Sequence, residues 1–146
     1  MPGATVPGAG TGLAPAPFVG VRRFQDLECW KLSRELKLGV YALVAHSAAK
    51  SDFKFRDQII AAVASAPSNL SEAFGAWGHP DAARYARIAK ASLTETQNHL
   101  LDGVDRHFWR ADEIEALMAL SDRAIGATIG WIRYLTKSKP PRAHWD

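Results

Sequence analysis

The segment Gln58–Ser71, QIIAAVASAPSNLS, runs about four helical turns without a charged side chain, inside a chain otherwise rich in Lys, Arg, Asp and Glu. A helix that shows water one face normally carries long charged residues there, so one lacking them all round is buried on more than one side. Two arrangements satisfy this: a position deep in a bundle, or cover by another subunit. At about 100° per residue, Phe55, Ile59, Val63, Ala66, Leu70, Phe74 and Trp77 form one apolar stripe. Gln58, Ala61, Ala62, Ser65, Ser68, Asn69 and Glu72 form a small, polar stripe roughly opposite.

Helical periodicity continues on both sides of this segment. Asp26 is the expected cap of a first helix that carries Cys29, Leu32, Leu36, Val40 and Leu43 on one stripe and ends near His46. Asp52 is expected to cap the second, which runs to about Trp77 with Pro67 in its middle, at a cost of ~3 kcal/mol that packing must offset. Ser65 and Ser68 stand close enough to meet the freed carbonyls. GHPD then breaks the chain, and a third helix from about Pro80 to Phe108 places Ala82, Ala86, Ala89, Leu93, Leu100 and Val104 on a heptad-like stripe. Asp112 and Glu113 favour the start of a fourth, marked by Ile114, Leu117, Ser121, Ala124, Thr128, Trp131 and Leu135. No strand pattern competes. Long helices with short connections predict an all-α, antiparallel, up-down-up-down four-helix bundle.

The 146 residues leave room for one such domain, over residues 22–137. Residues 1–21, opening MPGATVPGAGTGLAPAPFVG, read as a disordered arm that fits neither a secretory signal nor a lipid anchor. Residues 138–146 read as a basic C-terminal tail. No apolar run is long enough to span a bilayer, and a single cysteine, Cys29, excludes an internal disulfide; the expected compartment is the cytoplasm. Cys29 lies with Leu32 and Leu36 and reads as a small buried hydrophobe. A net charge of +3 favours an acidic partner without being a nucleic-acid signature by itself.

Ser65, Ser68, Asn69 and Glu72 share a face of the second helix by their i, i+3, i+4, i+7 spacing, while Tyr85, Ile88, Ser92, Glu95 and His99 form a stripe beside the alanine heptad of the third. At these residues the chain resembles the family of small four-helix bundle proteins encoded in intervening sequences of bacterial 23S rRNA genes, related to the accessory variability proteins of diversity-generating retroelements. The resemblance rests on FQDLECWKLSRELKLGVY in the first helix, on SAPSNLSEAFG in the second, similar to S-x-P-S-N-I-A-E-G, and on YARIAKASLTE in the third, similar to F-x-x-F-L-x-I-A-x-G-S-x-x-E. Ser71, Ala73 and Ala91 depart from the pattern, the two alanines keeping a small residue where the family commonly has Gly. The resemblance implies a homo-oligomer, typically a pentameric ring, without enzymatic activity, and hence a neighbouring copy over the second stripe of the charge-free helix. The retroelement relatives imply a basic surface that binds RNA and a reverse transcriptase.

The site residues follow from these patterns. Ser65, Ser68, Asn69, Glu72, Ser92 and Glu95 read as a structural polar network or subunit interface, the alternative being a recognition site or catalytic carboxylate pair for which nothing in the sequence builds a cleft. Glu95 and His99 stand one turn apart, yet no Glu-x-x-His motif occurs, so neither a metal nor another cofactor is expected. Arg34 and Lys37, interleaved with Trp30 and Tyr41, and Arg84, Arg87 and Lys90 on the third helix are the RNA-binding candidates, joined by flexible cations at Arg22, Arg23, Lys137, Lys139 and Arg142. Against this stands a packing role for Trp30 and Tyr41 and plain solvation of the cations. The expected function is a non-enzymatic oligomeric scaffold for RNA or a reverse transcriptase-type ribonucleoprotein; the alternative is a pure protein-interaction ring.

Overall fold

The computed structural model describes Phe18 and residues 20–137; the expected arm before Phe18 and the tail from residue 138, with Lys139 and Arg142, lie outside the described residues. Four helices follow in order, α1 (Glu28–Ala45), α2 (Phe53–Gly75), α3 (His79–Asp105) and α4 (Glu115–Lys137), with short 3-10 turns before α1, between α1 and α2 and between α3 and α4, and no strand among the described residues. Helix α2 packs between α1 and α3, and α4 closes the square against the other faces of α1 and α3. The predicted four-helix bundle is therefore the fold.

Local signals explain most boundaries. The Asp52 carboxylate accepts the Phe55 N–H at 3.1 Å and caps α2. Asp26, by contrast, does not cap α1: it ends a 3-10 turn over Phe24–Asp26, and Leu27 occupies the capping position. Its carboxylate is engaged by Arg23 at 3.2 and 3.3 Å, which holds it below the usual carboxylate range. Before α4, the Arg110 N–H donates to Glu113 at 2.6 Å and a 3-10 turn precedes the helix proper.

Two helices stop earlier than their patterns. Helix α2 ends at Gly75 because Ala76 is extended, and Gly78 takes the capping position before α3 ahead of Pro80; Trp77 is in the connection, fully exposed, and not part of the core stripe. Helix α3 ends at Asp105 rather than Phe108, since the Phe108 N–H reaches Gly103 O at 2.9 Å and the His107 N–H reaches Val104 O at 3.0 Å. That pair of bonds is a Schellman closure, and it puts His107 at φ 61°, a left-handed conformation usually given to glycine.

The core has two centres. One gathers Leu36, Val40, Phe55, Ile59, Val63, Leu93, Leu100 and Trp109; the other gathers Leu27, Cys29, Leu70, Ala82, Ala86, Trp131 and Leu135. Among the described residues Phe18 already packs on the second centre, its ring meeting Tyr134 edge-on at 5.2 Å, earlier in the chain than a boundary after residue 21. Pro67 is buried inside α2, which continues unbroken through it. Among the described residues no helix is long and apolar enough to cross a membrane.

Candidate interaction surfaces

The α2–α3 contact brings together three of the six expected polar residues. Ser92, buried on α3, donates its hydroxyl to Ser65 Oγ at 2.8 Å. Asn69 Nδ2 donates to the same Ser65 oxygen at 2.9 Å and to Ser65 O at 2.8 Å. Ser65 is thus held between two helices rather than turned toward the proline-freed backbone. The other three stand outside this network. Ser68 and Glu72 are exposed, and Glu95 is exposed while its carboxylate meets the largely buried His99 ring at 3.1 Å. A set spaced i, i+3, i+4, i+7 spans roughly 100° of arc, wide enough to straddle a contact and the solvent beside it.

Helix α2 does have a solvent-facing side in the single chain. Gln58, Ala61 and Ser68 are exposed along it, with Ala64 and Ser65 half-buried, so between Asp57 and Glu72 this surface carries no charge. Burial deep in the bundle is not the reason for the uncharged segment. Ile88 and Ala91 of α3 are exposed as well, as are Leu38 and Tyr41 of α1, the helix packed on the opposite flank of α2.

The candidate cations lie on the two helices that flank α2. Arg34, Arg84, Arg87 and Lys90 are exposed and Lys37 is half-buried. None of the five forms an ion pair with another described residue, whereas Arg23, Arg56, Arg106 and Arg110 all do. The Arg84 guanidinium lies 4.5 Å from the centre of the Tyr85 ring. Trp30 packs edge-on at 5.3 Å against Phe24 of the turn that precedes α1, whereas Tyr41 is exposed.

Other features were not legible in the sequence. Gln97 Nε2 donates to Ser121 Oγ and to Asp122 Oδ1, each at 2.7 Å, tying α3 to α4, a pairing between distant positions that no local pattern announces. A cavity of about 360 Å³ opens at the end of the bundle, lined by Phe18, Leu27, Phe74, Trp131 and Tyr134. Cys29 is buried, and burial pushes its thiol up to about 12.

The family model described as 23S rRNA-intervening sequence protein matches residues 25–129, which covers all of α1, α2 and α3 and more than half of α4. The chain belongs to that family. No curated protein shows significant similarity to it.

Proposed function

We propose that this member of the 23S rRNA-intervening sequence protein family is a non-enzymatic scaffold, a ring of identical copies that binds RNA or a ribonucleoprotein partner of the reverse-transcriptase type. One observation carries the reading: α2 turns an uncharged, small-residue surface to solvent over residues 58–71. Small side chains let helices approach closely and leave no charge to desolvate, which suits contact with a second copy. The flanking cations support the RNA half of the proposal. Each phosphate they neutralise adds salt-sensitive affinity, and a ring of five, the number implied by the resemblance, multiplies a modest stripe into an extended surface.

The test is the solution mass by light scattering during size exclusion, with nucleic-acid absorbance followed across the peak before any nuclease treatment. The parent chain should elute with nucleic acid, the protein part of the particle's mass being a multiple of 15.9 kDa. Ser68→Arg, at an exposed position, should return it to a monomer with unchanged helix content, because an unpaired charge then has to be buried at the contact. A monomeric parent, or an oligomer indifferent to Ser68→Arg, refutes the α2 contact. An oligomer free of nucleic acid and without salt-dependent RNA affinity favours the protein-interaction ring.

A further inference from the structure

Trp77 is the most exposed large hydrophobic side chain among the described residues, and its indole is left entirely in water. It stands two residues before α3, the helix that carries Arg84, Arg87 and Lys90, all exposed and without a described ion-pair partner. From the start of α3 to Lys90 the axial distance is about 17 Å at the α-helical rise. A stacked strand advances ~3.4 Å per nucleotide, so this stretch matches about five nucleotides.

We infer that the RNA partner is single-stranded at this site, with its phosphates along Arg84, Arg87 and Lys90 and a base stacked on the Trp77 indole, an inference that rests on the RNA-binding reading. A duplex keeps the faces of its bases closed within the stack, so only an unpaired base can use a free indole. The cation–π contact with Tyr85 holds the Arg84 guanidinium in place, so less side-chain freedom is lost when it meets a phosphate. Exposed Asp81 and Glu95 lie before and after the three cations on α3 and bound the segment that attracts phosphate.

Fluorescence anisotropy of the full chain with an end-labelled single-stranded RNA of about eight nucleotides, set beside the duplex of the same length, tests this over a series of salt concentrations. Trp77→Ala should weaken single-strand binding by about 5- to 150-fold, the equivalent of one lost base stack, while leaving the salt slope unchanged. Trp77→Phe should restore much of the loss. The triple change of Arg84, Arg87 and Lys90 to Ala should instead flatten the slope of log K against log salt by about 2, since each single-strand phosphate contact contributes ~0.7. Because all four side chains are exposed, thermal unfolding should be unaltered in each variant. Equal affinity for duplex and single strand, or single-strand binding indifferent to Trp77→Ala, overturns the inference and leaves the RNA reading standing. Absence of salt-dependent binding to either RNA overturns both.

Discussion

Gly103→Ala sets helix propensity against packing, and the structure says which prevails. Gly103 is buried in the last turn of α3, where the Trp109 indole lies directly on its backbone. A Cβ built on Gly103 would come 2.6 Å from Nε1 and closer still to Cε2 and Cζ2. The ring has little freedom to retreat, because Nε1–H donates to Leu100 O at 2.8 Å and the indole packs against Phe55 at 5.7 Å and Phe108 at 6.2 Å. Replacing a helical glycine by alanine gains about 1 kcal/mol. Overpacking costs about 1–3 kcal/mol, and an indole N–H pushed off its buried acceptor costs a further ~1–3 kcal/mol. The balance is a loss of about 1–5 kcal/mol, at roughly 4 °C of Tm per kcal/mol for a domain of this size. Melting followed by circular dichroism reads it, at one fixed protein concentration so that any association enters both variants alike. In a Trp109→Leu background the same substitution should reverse sign and stabilise by about 1 kcal/mol. A Gly103→Ala protein as stable as its parent, or one still destabilised after Trp109→Leu, refutes the assignment of the cost to the indole.

Two further outcomes follow from single positions. His107→Gly should raise stability by about 1 kcal/mol in the same melts, since a left-handed conformation strains every side chain with a Cβ; a lower Tm would mean that the imidazole contributes more than its backbone costs. Cys29 should resist an alkylating reagent in the folded protein and react on unfolding. Its thiol stays protonated when folded up to about 12 but ionises near 9.0 when unfolded, so this contribution is intact below pH 9.0 and lost as pH rises from there toward 12. Rapid native labelling would contradict its burial.

The sequence made the helices legible wherever their signals are local. Ala82, Ala86, Ala89, Leu93 and Leu100 are buried, as the spacing required, with Val104 at the end of the stripe half-buried, and Asp52 caps α2 through a bond three residues long. What failed to show were features decided between segments. The end of α3 carries no glycine at the turn, so its apolar period runs on toward Phe108 although the backbone closes at Asp105. The reason lies in the Trp109 indole, which anchors back onto Leu100 and needs the gap at Gly103. The polar stripe of α2 was legible as a stripe but not in its division: a rotation of part of a turn puts Ser65 within reach of α3, with Asn69 bonded to it along α2, and leaves Ser68 and Glu72 in water.

That division bears on the feature that constrains the chain most. An uncharged helix in a bundle has two physical explanations, and they differ in what the single chain leaves uncovered. Had α2 been enclosed by its own bundle, Ala61 and Ser68 would be buried; instead they are exposed, and Ala91 of the neighbouring α3 is exposed too. Intrachain packing therefore accounts for Ile59, Val63, Ala66 and Leu70 but not for the lack of Lys, Arg, Asp or Glu at the outward positions. A lone domain gains nothing from an uncharged outer face, and surfaces of this kind promote association. The residues that would sit at the rim of such a contact also have the expected chemistry. Arg34 and Lys37 stand on α1, one of the two helices packed on α2, where charge can remain solvated while the centre is desolvated; on α3, Lys90 shares the face of Gln97, which meets α4, so that stripe runs toward the α4 side. Association through α2 would bring Arg34 and Lys37 of adjacent copies toward the edges of each contact. Like charges repel there unless an anion lies between them, so an oligomer built this way should assemble more readily at higher salt or with RNA bound. Assembly that weakens as salt rises would argue against a contact centred on the uncharged face.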